Sequence, residues 1–216
     1  MWTRLSIFFC LLFSLSALSL SAQDPQLSQN LANPLLNSPA FAGLQDQNKI
    51  YLTHRNQWPN QSANYQYSAA ALEVSLGKIN SGLGFLISSD KQFSSLQTTS
   101  VSLQYAYHAN LNETALLSMG IQGSGVFRSL DYSHLTYGDQ LGSFLVNGSL
   151  GNTFDPLATQ FVNRTGFLDL SAGLLLNDVD YWLGASVHHL NRPNQSLIRS
   201  SDDLIAPKYA VMGGFS

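Results

Sequence analysis

A period-two alternation, sustained for longer than an ordinary strand, constrains this chain most. In "QTTSVSLQYAYHANL" (97–111), Val101, Leu103, Tyr105 and Tyr107 share one face, and Ser100, Ser102, Gln104 and His108 share the other. In "ETALLSMGIQGSGVF" (113–127), Ala115, Leu117, Met119, Ile121 and Phe127 oppose Ser118, Gln122 and Ser124. "KIYLTHRNQW" (49–58) sets Lys49, Tyr51, Thr53, Arg55 and Gln57 against Ile50, Leu52, His54, Asn56 and Trp58. Successive side chains of a strand point to opposite faces, so this pattern builds a sheet with one apolar and one polar side. Strands in globular domains cluster near 5–6 residues, at about half the length seen here. A strand that crosses a bilayer needs about 9–11.

Five more segments read as strands: 63–76, 79–89, 166–177, 181–191 and 207–216. Short links at 77–78, 112–113 and 178–180 alternate with longer polar ones at 90–97 and 129–165. Tight turns on one side and long loops on the other are the habit of outer-membrane barrels. A structureless loop as long as 129–165 counts against a compact soluble domain. Aromatic residues near strand ends (Trp58, Tyr107, Phe127, Tyr181, Trp182) suit the interfacial girdles of such a barrel. The sequence therefore predicts an all-β, antiparallel outer-membrane β-barrel, or an incomplete barrel, of about eight strands over 47–216.

Composition agrees with that reading. Charged residues make up 11% of the chain, against about 25% in soluble domains, yet mean hydropathy is +0.00. Alternating polar and apolar residues cancel in this way; a secreted β-sandwich rich in Ser, Asn and Gln is the other class with such figures. The first stretch, "MWTRLSIFFCLLFSLSALSLSA", joins Arg4 to an apolar run and ends in small residues, so 1–22 reads as a secretory signal peptide. Cys10 is the only cysteine and lies inside that run. The chain after residue 22 thus excludes disulfides and thiolate metal sites. With nine basic and thirteen acidic residues left after Arg4 is removed, it carries no footprint for nucleic acid.

No catalytic constellation stands out. His188 and His189 are neighbours, and on a regular strand they point to opposite faces, one to the lumen and one to the interface. Neither "GASVH" nor "GSGVF" has the strand–turn–helix setting of a nucleophile elbow. Gly82, Gly84, Gly123, Gly125, Gly213 and Gly214 lie inside strands, where glycine marks a bend or a close backbone approach. Arg55, Glu73 and Asp169 are assigned to the barrel interior, with Arg128 nearer a rim, because an Arg facing lipid costs about 2–4 kcal/mol at mid-membrane. Sequential strands usually pair, so Arg55 and Glu73 are expected to form a salt bridge.

The segment ahead of the strands, 23–46, is unlike the rest. "QDPQLSQNLANPLLNSPAFAG" holds three prolines and three asparagines and has no strand or helix period. Proline forbids regular pairing, and Asn and Gln satisfy backbone groups locally, so the segment suits a lumen plug; a flexible leader is the alternative.

This segment, followed by "HRNQWP", resembles the start of the PorP/SprF family of type IX secretion system membrane proteins. In this sequence the motif residues are Asp24, Pro25, Asn33, Pro34, Asn37, Pro39, Ala40, Phe41 and Gly43, then Arg55, Gln57 and Trp58. Leu27 stands where the family has an aromatic, Ser38 separates Asn37 from Pro39, and Phe41 replaces Tyr. Further blocks agree: "GLGFLISSD", "SLQYAYHANLN", "FLDLSAGLLLNDVDYWLGASVHHLNRPNQSL" and "PKYAVMGGFS". The resemblance implies a non-enzymatic outer-membrane protein of Bacteroidetes-type bacteria, without a cofactor. Its implied partners are membrane lipid, other type IX secretion components and a large secreted surface protein, such as an adhesin of gliding motility. A passive channel or hydrophobic-solute transporter is the second hypothesis, and a membrane-embedded hydrolase a weaker third. Family members continue for several strands past the block resembling "PKYAVMGGFS". The expectation is therefore a shortened member whose first and last strands leave open edges; its rival is a closed eight-stranded barrel.

Overall fold

A computed structural model describes residues 29, 32–45, 47–61, 64–92, 95–131, 138–141, 162–198 and 201–215. The expected signal peptide, 1–22, and Asp24 and Pro25 of the expected motif lie outside the described residues. Eight strands follow in chain order: β1 (Lys49–Gln57), β2 (Tyr65–Leu76), β3 (Ser81–Gln92), β4 (Leu96–Asn110), β5 (Leu116–Leu130), β6 (Arg164–Asn177), β7 (Tyr181–His188) and β8 (Lys208–Phe215). They form one antiparallel sheet in the order β1-β2-β3-β4-β5-β6-β7-β8. The sheet curls into a half-barrel whose edges are β1 and β8, and no closing pair joins them among the described residues.

Alternation orients the strands. On β4, Leu103 is 61% exposed while Gln104 is 0%, so the face assignment made from the pattern is the one observed. Aligned by register, the outward residues form bands. Ile50, Leu72, Phe85, Leu103 and Leu170 lie at one height, and Leu52, Ile87, Val101 and Leu168 at the next. A polar row of Asn56, Gln66, Lys91, Gln97, Ser129 and Arg164 bounds them. An apolar band edged by polar residues is the pattern that the outer surface of a membrane barrel carries.

Two expectations about strand ends are corrected. The stretch 90–97 is not a long polar link: β3 runs to Gln92 and β4 starts at Leu96, because Asp90, Gln92 and Thr98 keep the inward parity and stay paired. Trp182 does not belong to an outer girdle. It has the inward parity of β7 and packs edge-on against Phe41, with ring centroids 5.9 Å apart.

The connections 77–80, 111–115 and 178–180 lie at one end of the half-barrel; the longer ones (58–64, 131–163, 189–207) lie at the other, together with the short link 93–95. At Asn80 the chain takes a left-handed conformation (φ 51°) that Asn tolerates.

Candidate functional site

Asn33–Gly43 lies across the concave face of the sheet. Pro34 and Pro39 each open a single 3-10 turn, Pro34–Leu36 and Pro39–Phe41. Proline suits the first position of such a turn because its φ is preset and its missing N–H has no partner to lose. The Ser38 hydroxyl accepts from the Ala40 N–H at 3.3 Å and caps the second turn. The segment is thus shaped by its own sequence, yet it is buried: Asn33, Leu35, Ser38, Ala40 and Ala42 are at most 1% exposed.

What receives it is a row of small residues straight across the sheet. Ser75, Gly82, Ala106, Gly120, Gly173, Ser186 and Ala210 are successive cross-strand partners from β2 to β8. The segment runs along this row. A Cβ on Gly82 would collide with the Ala42 carbonyl and the Gly43 Cα; one on Gly120, with Pro39 and Ala40 backbone; one on Gly173, with the Ser38 hydroxyl. Gly43 itself has φ 68° and presses its Cα on Gly82, so glycine is required there both for conformation and for space.

Side chains of the wall then hold the segment by its main-chain carbonyls. Gln104 Nε2 donates to Leu35 O at 2.8 Å. His108 Nε2 lies 3.1 Å from Ala42 O, while its Nδ1 meets the Ser118 hydroxyl at 2.8 Å. Ser186 donates to Asn37 O at 2.9 Å, and His188 Nε2 lies 3.0 Å from the same carbonyl. Since a carbonyl only accepts, His108 and His188 present protonated Nε2 atoms there. Phe41 on Trp182 ties the segment to β7 as well.

Toward the long-connection end the interior changes character. Above the segment lies a cavity of about 400 Å³, lined by Ser100, Ser102 and Ser124 and by Asp90, Arg128, Asp169 and both His188 and His189. Arg55, Tyr67, Asp90, Thr98 and Arg128 share one cross-strand row, and Arg128 donates to Gln195 of the 189–207 connection.

The residues assigned to the interior are not brought together. Arg55 lies opposite Tyr67, and Glu73 opposite Lys49, six positions away along β2, which is about 20 Å of strand. The expected Arg55–Glu73 bridge is therefore ruled out by register. Arg55 donates to Gln57 Oε1 at 2.6 Å and lies over the Tyr65 ring, while Glu73 accepts from the Tyr51 hydroxyl at 2.7 Å. Asp169 meets His189 Nδ1 at 3.0 Å.

The two histidines depart from their expected placement too. His189 follows the end of β7 with φ 58°, which breaks the alternation, and both rings face the cavity. Among the described residues, these two histidines build no Ser–His–Asp chain. Asp169 engages His189, whereas Ser186 lies by His188 and gives its proton to Asn37 O.

A family model described as type IX secretion system membrane protein PorP/SprF matches residues 19–216. The chain belongs to the PorP/SprF family. None of the curated proteins and none of the solved structures compared with it matches. PorP/SprF is a family of secretion-system membrane proteins, not of enzymes. The stretch that carries the resemblance has a place in three dimensions: Asn33 to Gly43 is the buried segment, and Arg55 and Gln57 touch each other on β1. Ser38 fills its place by capping the turn over Gly173. Sequence reasoning does not single out Gly120, Gly173, Ala106, Gln104, His108 or Ser186 as site residues. Their only signal is small or hydrogen-bonding character at inward parity, which becomes a row only once the register is known.

Proposed function

We propose that this chain is a non-enzymatic component of the outer membrane that serves type IX secretion by engaging a large secreted surface protein. The apolar outer bands support a bilayer setting. The observation that carries the reading is the buried segment. A lumen crossed by Asn33–Gly43, gripped at Leu35, Asn37 and Ala42 by wall side chains, suits a docking component better than a solute conduit. With short connections on the periplasmic side, as in outer-membrane barrels, the segment lies at the periplasmic end, and the cavity opens toward the longer connections.

The test is crosslinking in cells followed by purification of the chain. Recovery of other type IX secretion components in defined stoichiometry, together with loss of a secreted protein from the cell surface when the chain is absent, is the expected result. A chain that recovers none of them, while its loss changes only small-solute permeability, would make it a channel.

A further inference from the structure

We infer that the row from Gly82 to Ser186 is a peptide-binding groove, occupied by the chain's own Asn33–Gly43, that also fits a segment of another polypeptide. Such a segment is proline-bearing and tightly turned, as Asn33–Gly43 is, with small residues where Ser38, Ala40, Ala42 and Gly43 now lie. This rests on the reading that the chain engages a secreted polypeptide, and it names the surface that does so.

The groove holds main chain, and beside it seats two side chains of its occupant, Leu35 in the buried cluster and Phe41 on Trp182. The hydrogen bonds that Gln104, His108, Ser186 and His188 make to the segment end on its main-chain carbonyls, those of Leu35, Asn37 or Ala42. The glycines demand only that the backbone come close. Neither feature reads side-chain identity beyond small size. Main-chain recognition with a few steric limits is how proteins bind peptides in general.

A second observation is independent of the row. The present occupant satisfies the groove incompletely. Gln104 is fully buried, and its Oε1 finds no hydrogen-bond partner among the described residues, although its Nε2 is used. Asn33 is 1% exposed, and neither end of its amide is paired among the described residues. Buried polar atoms are nearly always paired in native proteins. An occupant presenting a backbone N–H to Gln104 Oε1 would satisfy the wall better than the chain's own segment does. The tether also permits release, since Gln45, Gln47 and Asn48 between the segment and β1 are exposed. The row lies near the short turns, so a polypeptide arriving from that side meets the groove first.

The experiment uses the full chain, folded in detergent, with a protease site inserted between Leu44 and Asn48. After cleavage, a fluorescent synthetic peptide of residues 29–44 is added in excess, and anisotropy follows its uptake. We expect saturable exchange, displaced by unlabelled peptide. A peptide carrying Ala40→Leu and Ala42→Leu should compete at least about tenfold more weakly, because added bulk there meets backbone. These changes sit in the peptide, so they leave the barrel's own folding untouched. Three outcomes would overturn the inference. One is no exchange while the cut segment stays bound. Another is equal uptake of a scrambled peptide. The third is loss of heat-modifiable gel migration on cleavage, since a groove that collapses without its segment can receive no other. None of these needs a secretion partner, so the groove can fail while the crosslinking result stands, and the reverse.

Discussion

The two ends of the lumen are built on opposite principles. At the short-turn end, small residues let a polypeptide lie directly on the sheet, and four wall side chains hold its carbonyls. At the long-connection end, serines and charged groups surround a cavity, and Asp90 Oδ1, Asp169 Oδ1 and Arg128 Nε have no hydrogen-bond partner among the described residues. The same sheet, with the same inward parity, thus supplies a close-packed seat and a polar chamber. Parity decides only which side chains face in; the size of those side chains decides whether backbone can lie against them.

The sharpest way to break the comparison is to place the same bulk at each end. Gly120→Leu drives a side chain into Pro39 and Ala40 backbone, where overpacking costs about 3 kcal/mol or more. Ser100→Leu points into the cavity and gives up a 2.7 Å bond to Ser88, a cost of about 0.5–1.5 kcal/mol. Denaturant midpoints in detergent should separate the two variants clearly. Equal losses would mean that the seat is not close-packed.

Next in size is His108→Ala. His108 is 7% exposed and bridges Ser118 to Ala42 O, so its loss strands a buried carbonyl at about 1–3 kcal/mol. Proteolysis should then cut near Ala42 faster than in the parent chain. Arg128→Ala at the other end should leave that cleavage rate unchanged, and a matching rise would show that the two ends are coupled.

The smallest effect tests the corrected pairing. Tyr51→Phe and Glu73→Ala should couple by about 1 kcal/mol in a double-mutant cycle, because their 2.7 Å hydrogen bond is removed only once. Arg55→Ala and Glu73→Gln should add to within about 0.5 kcal/mol, as distant sites do. Coupling in the second cycle but not the first would restore the Arg55–Glu73 salt bridge.

Much of this molecule is legible in its sequence. Alternation is a local property, since one residue's direction follows from its neighbour's, so eight strands and the faces of Leu103 and Gln104 follow from the pattern alone. The turns at Pro34 and Pro39 are equally local, set by proline's φ and a serine cap. The row beneath them is not local. Gly82, Ala106, Gly120, Gly173 and Ser186 come from five strands, and they align only because each hairpin fixes its own offset. A shift of two residues in any one hairpin would keep every face and destroy the row. The same offset separates Arg55 from Glu73. At His189 a single left-handed residue turns a ring inward against the alternation, and at Trp182 the segment supplies Phe41 as a partner that no pattern on β7 announces. Strand and face arise from bonds between neighbours in the chain. Register, and the seat that register creates, come from hydrogen bonds and packing between residues far apart in sequence, and these are settled only when the sheet and its segment fold together.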